Sequence, residues 1–211
     1  MNKKIDPAVI EILASRICHD LISPVGAVHN GIEFLEEMGV EAGGEAIALI
    51  AHSAQQASSK LQAFRMVYGA GGRDPNIKPA DVKKVFAGMI DADGKIKQDW
   101  DPSIFSGMDL PGGFCKMLMG CLMLATESLP KGGTVRVTKL DGELAKITIE
   151  GTDAAARPQV REALAGTLSV EDIDPRMVHP FVLGILAAQY GFVIEIGEHA
   201  QGRAAFHLRL V

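Results

Sequence analysis

One histidine in this sequence stands in a chemical pattern. In "ASRICHDLISPVGAVHNGIEFLEEM", Ala14 to Met38, His19 is followed at once by Asp20 and, five residues on, by Pro24. A neutral imidazole is a good nucleophile near neutral pH, because its unperturbed pKa is about 6.5. Its phosphorylated form is a phosphoramidate, reactive enough to pass the group on. Such a transfer needs an open ring nitrogen, a partner approaching in line, and charge stabilisation at the three phosphoryl oxygens. On a helix, the neighbours of His19 are Ser15 and Arg16 one turn before it, and Ile22 and Ser23 one turn after it. Arg16 could pair with a phosphoryl oxygen and Ser23 could donate to one. Asp20 points about 100° round the helix, so it does not share the face of His19. It could still act as a base, hold the ring, or meet a residue of a docking protein.

The element that must position these residues is a long helix. Asp6 with Pro7 is a good start, an N-cap followed by proline in the first turn. Apolar residues then recur at Ile10, Leu13, Ile17, Leu21, Pro24, Val28, Ile32 and Leu35, in steps of three and four. His19 lies roughly 160–200° from Ile17 and Leu21, so it faces away from that seam. Pro24 lacks an N–H and crowds the carbonyl one turn back, so the helix is expected to bend or open near Leu21. "GVEAGG", Gly39 to Gly44, reads as a turn. A second seam follows at Ile47, Ile50, Ala54, Ala57, Leu61, Phe64 and Val67, with the alanines allowing close helix approach. "YGAGGRDPN", Tyr68 to Asn76, reads as a linker. One helical hairpin covers two such seams poorly. Two hairpins about a two-fold axis make a four-helix bundle, so a homodimer through this segment is the economical expectation, against a hairpin packed on its own C-terminal half.

After Pro75 the rhythm changes. "KPADVKKVFAGMID" reads as a short helix, "GKIKQDW" as a strand, and "GGFCKMLMGCLMLATESLP" as a strongly apolar helix. "GTVRVTKL" and "ELAKITIE" alternate around Asp141-Gly142, a hairpin signal. Two more helices, in "RPQVREALAGTL" and "DPRMVHPFVLGILAAQYG", precede the strands "FVIEIGE" and "GRAAFHLRLV". The order is α+β, with helices on one face of a mostly antiparallel sheet.

Other candidates carry less. His52 reads as plain surface and His29 as a polar residue at the bundle edge. His179, His199 and His207 have no metal-ligand spacing. Cys18 and His19 are consecutive and cannot face each other as a nucleophile pair. Met117, Met119 and Met123 are most simply core. Gly69–Gly72 and Gly132–Gly133 lack the setting of a nucleotide loop. Across the 211 residues, 21 Lys and Arg stand against 26 Asp and Glu, a net charge of −5. No basic block points to nucleic acid. Three widely spaced cysteines suggest a reducing cytoplasm. No signal peptide and no run of about 18 apolar residues is seen, so no membrane partner is expected.

"SRICHDLISPVGAV" resembles the histidine box of two-component sensor kinases, with His19, Asp20, Leu21 and Pro24 in matching positions. By order of elements the second half resembles their ATP-binding domain. Where those kinases hold nucleotide and magnesium with N-x-x-x-N-A, this chain has Gly120 and Leu124 in place of the asparagines, then Ala125. The D-x-G-x-G strand end becomes "EGTDAAA", Glu150 to Ala156, and the glycine-rich lid becomes "PRMVHP", Pro175 to Pro180. A kept histidine box with lost nucleotide motifs resembles the ChpT-type histidine phosphotransferases. The resemblance implies residues 1–72 as a helical-hairpin dimerisation and phosphotransfer domain, and 73–211 as a degenerate kinase-like α/β domain. It implies a shuttle without ATP, taking phosphate from the receiver domain of a hybrid kinase to that of a response regulator. His19 would be the phosphoacceptor with Asp20 beside it, and Arg16 and Ser23 would be the phosphoryl or receiver contacts. No cofactor is expected in this chain, and Mg2+ would belong to the partner receiver. A non-catalytic dimeric adaptor or anti-sigma-like module is the competing class, and a divergent nucleotide-binding kinase is a third.

Overall fold

Asp6 accepts a hydrogen bond from the Ala8 N–H at 2.9 Å, so helix α1, Pro7–Met38, begins at its side-chain cap. The structure is a computed structural model that describes residues 5–39, 43–70, 74, 76–91, 94–140 and 142–211. Helix α2, Gly44–Tyr68, returns antiparallel to α1. The two pack closely at Gly31, where a Cβ would meet Ile50 Cγ1 at 2.5 Å. The helix continues through the buried Pro24. Proline leaves the Asp20 carbonyl without its helical donor, and Lys60 of α2 supplies one, Nζ to O at 3.2 Å. The expected opening near Leu21 is therefore filled by a side chain from the facing helix.

The rest of the chain runs α3 (Pro79–Ile90), β1 (Ile96–Asp99), α4 (Phe114–Glu127), β2 (Gly133–Thr138), β3 (Ala145–Glu150), α5 (Val160–Ala165), α6 (Val178–Tyr190), β4 (Phe192–Ala200) and β5 (Arg203–Leu210). Short 3-10 turns cover Pro102–Phe105 and Val170–Asp172. The strands form one sheet in the order β1-β2-β3-β5-β4. The β1–β2 pair is parallel and the others are antiparallel, with a register break between Ile196 and His199 on β4. This is the mixed α+β order expected from the strand and helix rhythms. Val135, Ile147, Ile149, Phe206 and Leu208 point from the sheet into the core with Phe86, Met117, Leu118 and Leu122 from the helices. The opposite face carries ion pairs: Arg136 with Asp99 and Glu150, and Arg209 with Glu143 and Glu195. Parts of the expected Gly39–Gly44 turn, Tyr68–Asn76 linker and Asp141-Gly142 turn lie outside the described residues. The β2–β3 pairing that the last of these predicted is present.

The hairpin is bound to the sheet layer at three places. Val9 packs with Ile173, Val178 and Phe181, flanked by Ile12 and Leu13. Phe64 and Val67 enter the main core, with Ile17 and Leu21 packed against it. The third is polar. Lys116, buried on the apolar helix α4, sends its Nζ to the C-terminal turn of α2: to Val67 O, to Gly69 O at 3.0 Å and to Met66 O at 3.5 Å. A cation suits the negative end of a helix, and the carbonyls there have no partner within the helix. Each apolar seam is thus divided: parts are covered by the chain's own C-terminal half, while Ile10, Ile32, Ile47 and Leu61 stay exposed.

Replacing Lys116 by Met keeps the volume but strips those carbonyls of their donor. Lys116→Met is expected to lower stability by roughly 2–4 kcal/mol, read as a lower denaturant midpoint with little change of slope.

Candidate functional site

His19 projects from the middle of α1 with its side chain 89% exposed, as its position opposite the seam predicts. It borders a cleft of about 410 Å³, lined also by Ser15, Arg16, Asp20, Glu127, Arg157, Pro175 and Arg176. Asp20 leans round the helix: its Oδ1 lies 3.5 Å from His19 Nδ1. A carboxylate only accepts, so this contact is made by the ring tautomer that carries its proton on Nδ1 and leaves the Nε2 lone pair free. The one-step offset along the helix therefore does not keep Asp20 from the ring.

Arg16, one turn before His19, turns its guanidinium toward the end of α4 and the segment before α6. Its Nη2 is 2.5 Å from Glu127 Oε1, its Nη1 donates to Pro175 O at 2.8 Å, and its Nε is 3.9 Å from Asp20 Oδ2. Arg16, Asp20 and Glu127 also line a second cleft of about 400 Å³ with Lys60, Lys95, Phe64 and Met123. The three side chains are the partition between the two clefts. Burial pushes the Glu127 carboxyl up to about 7, against the pull of Arg16 and Arg157. Ser23 is exposed on α1 and does not line the His19 cleft.

Beneath the partition lies a buried polar pair. Tyr68 OH is 2.6 Å from His179 Nδ1, and His179 Nε2 is 3.0 Å from Gly120 O. Burial, with Arg16 nearby, lowers the His179 pKa to about 3, so the ring is neutral. Its Nε2–H donates to the Gly120 carbonyl, and its Nδ1 accepts from Tyr68. Burial also raises the Tyr68 hydroxyl well above its ordinary value. His179, which the sequence leaves among scattered histidines, is thus a packing residue that joins α6, α4 and α2. His29 pairs with Glu33 at 3.3 Å and His52 with Gln56 at 3.1 Å, both on exposed helix surface. Among the described residues no cluster of His, Cys, Asp or Glu could hold a metal ion. No helix there is long and apolar enough to cross a membrane.

Sequence reading missed Glu127, Arg157 and Arg176, which reach the cleft from three segments far from α1. For Glu127 a signal exists: an acid closing an apolar helix sits against the helix dipole and needs a cation from elsewhere.

Residues 79–202 match the family model described as "Histidine phosphotransferase C-terminal domain". "Protein phosphotransferase ChpT" of Brucella abortus (strain 2308) is 35% identical over 195 residues, 90% of each chain. The solved structure described as "1.7 Angstrom Structure of a Bacterial Phosphotransferase" superposes with a TM-score of 0.74 at 30% identity, over 98% of each chain. With its fold, the matched domain and a relative similar over nearly its whole length, the chain belongs to the histidine phosphotransferase family.

Proposed function

We propose that His19 Nε2 carries the phosphoryl group, taken from the aspartyl phosphate of one receiver domain and returned to the aspartate of another. The observation that supports this most is His19 itself: exposed, mid-helix, with its free nitrogen at the mouth of a cleft that holds Arg157 and Arg176. In the forward step the Nε2 lone pair attacks phosphorus. The P–O bond to the receiver carboxylate breaks, and that carboxylate leaves with its electron pair. The ring becomes cationic, and Asp20, at Nδ1, stabilises that charge. Reversal at a second receiver returns the group. The Mg2+ of such transfers belongs to the receivers. Arg157 and Arg176 are available to meet phosphoryl oxygens or an acidic receiver surface, whereas Arg16 is held by Glu127 and Pro175. Ser23, one turn beyond His19, is left to contact the docked receiver.

The packing between α4 and α6 supports a shuttle that uses no nucleotide. Gly120 and Leu124 are buried, and a Cβ on Gly120 would meet Leu183 Cδ1 at 2.4 Å. On this reading 73–211 is a kinase-like scaffold whose α4 has no polar side chain at Gly120 or Leu124 to hold a nucleotide. Homodimerisation through 1–72 is supported by two exposed heptad stripes. Val25 and Ile32 on α1 are 55% and 44% exposed, and Ile47 and Leu61 on α2 are 48% and 56% exposed, with Ala54 midway between the last two. A seven-residue repeat left open on both helices of a hairpin is the seam of a four-helix bundle. The adaptor reading is not favoured, because it gives no role to an exposed histidine with an oriented ring.

His19→Ala is expected to abolish acid-labile labelling from a phosphorylated receiver without changing stability. A variant that still takes label would remove His19 from the chemistry. Calorimetric titration with Mg-ATP should give no saturable heat, and micromolar binding would overturn the nucleotide-free reading. Leu61→Glu should convert a dimer to a folded monomer by light scattering, because a charge buried in the seam costs roughly 3–5 kcal/mol. A wild-type chain that is monomeric at micromolar concentration would sink the dimer.

A further inference from the structure

Glu127 occupies an unfavourable place for a carboxylate. It is the last residue of α4, where the helix carbonyls disfavour negative charge, and the neighbouring acid is Asp20. Its ion pair is with Arg16, at 2.5 Å. Arg16 lies one turn before His19 on α1, so the same guanidinium is within one helical turn of any group that His19 carries. Its two terminal nitrogens are engaged, one by Glu127 and one by the Pro175 carbonyl.

Resting on the reading of His19 as phosphoacceptor, we propose that Glu127 is a positioning residue for the phosphoryl group. As a carboxylate it holds the Arg16 guanidinium back. When it takes a proton from solvent through the cleft, it yields Arg16 to the phosphoryl oxygens. Arg16 stays charged throughout, and no bond other than the Glu127 O–H is made or broken. A phosphoryl group brings about −1.5 to −2 charges to the cleft, which favours that protonation and gives Arg16 a stronger partner.

The surroundings of Glu127 set the range. Arg16 and Asp20 face it from α1, Tyr68 from α2, and Arg157 from the segment after β3. Arg176 shares one of its clefts, and Lys60 and Lys95 share the other. With burial raising it to about 7, the carboxyl is ionised above neutral pH and protonated below it. Phosphoryl charge moves that midpoint higher, and the arginines and lysines move it lower.

The test uses the full chain phosphorylated with potassium phosphoramidate, in which the imidazole displaces ammonia at phosphorus. The phosphohistidine is then titrated by 31P NMR in wild type, Glu127→Gln, Arg16→Ala and the double variant. Glu127→Gln keeps the shape and imitates the protonated acid. It is expected to lower the second ionisation of the phosphoryl group by about half a unit and to agree with wild type more closely as pH falls. In the Arg16→Ala background the same change should have less than half that effect. Arg16→Lys serves where the alanine variant loses its fold. An equal Glu127→Gln shift with and without Arg16, or no shift at all, overturns the proposal while leaving His19 as the acceptor. With the exposed His29 and His52 replaced by Gln, failure of label to settle on His19 overturns the phosphoacceptor reading and this proposal with it.

Discussion

The ammonium of Lys116 is the constraint on which the arrangement depends. It rises from the buried, apolar helix α4 and closes the C-terminal turn of α2. Without it, burying that turn would strand several carbonyls away from water. With it, α2 can end inside the protein, and α1, antiparallel to α2, is carried to a defined height against α4 and α6. The Tyr68–His179–Gly120 chain reinforces the same junction from the other side. Both devices satisfy backbone carbonyls with donors from other helices, Lys116 for the end of α2 and His179 for Gly120.

From that junction the placement of His19 follows. Pro24 breaks the hydrogen-bond ladder at Asp20, and Lys60 repairs it from α2. The repair fixes the backbone of the residue beside the histidine, while the histidine side chain stays in water. Arg16 then ties the preceding turn of α1 to the end of α4 and to the segment before α6. One helical turn thus answers to both parts of the chain, and a change in the Arg16 contacts is felt at His19.

What could be read from the sequence was whatever lies within one element. Exposure of His19 is a matter of period along a single helix, and the N-cap at Asp6, the apolar α4 and the paired strands β2 and β3 are equally local. The sharing of the seams was not legible, because periodicity marks which face is apolar and not which surface covers it. Ile17 and Ile32 fit one repeat, yet the first packs on the core and the second is exposed. The partition between the clefts was also hidden. Arg16 and Glu127 are 111 positions apart, and only the fold brings them together. Asp20 was placed off the His19 face by helix angle alone, which ignores how far a carboxylate can lean.

The sheet has an open face and two edges, and both edges are poor templates. The β1 strand is four residues long with Lys97 within it, and β4 loses register between Ile196 and His199. Short, charged or irregular edges resist the addition of a further strand, and alternating ion pairs cover the face between them. Copies of this chain that meet in a crowded cell therefore find no way to grow the sheet from one molecule to the next. The exposed apolar stripes lie on the helices instead, away from the strand edges.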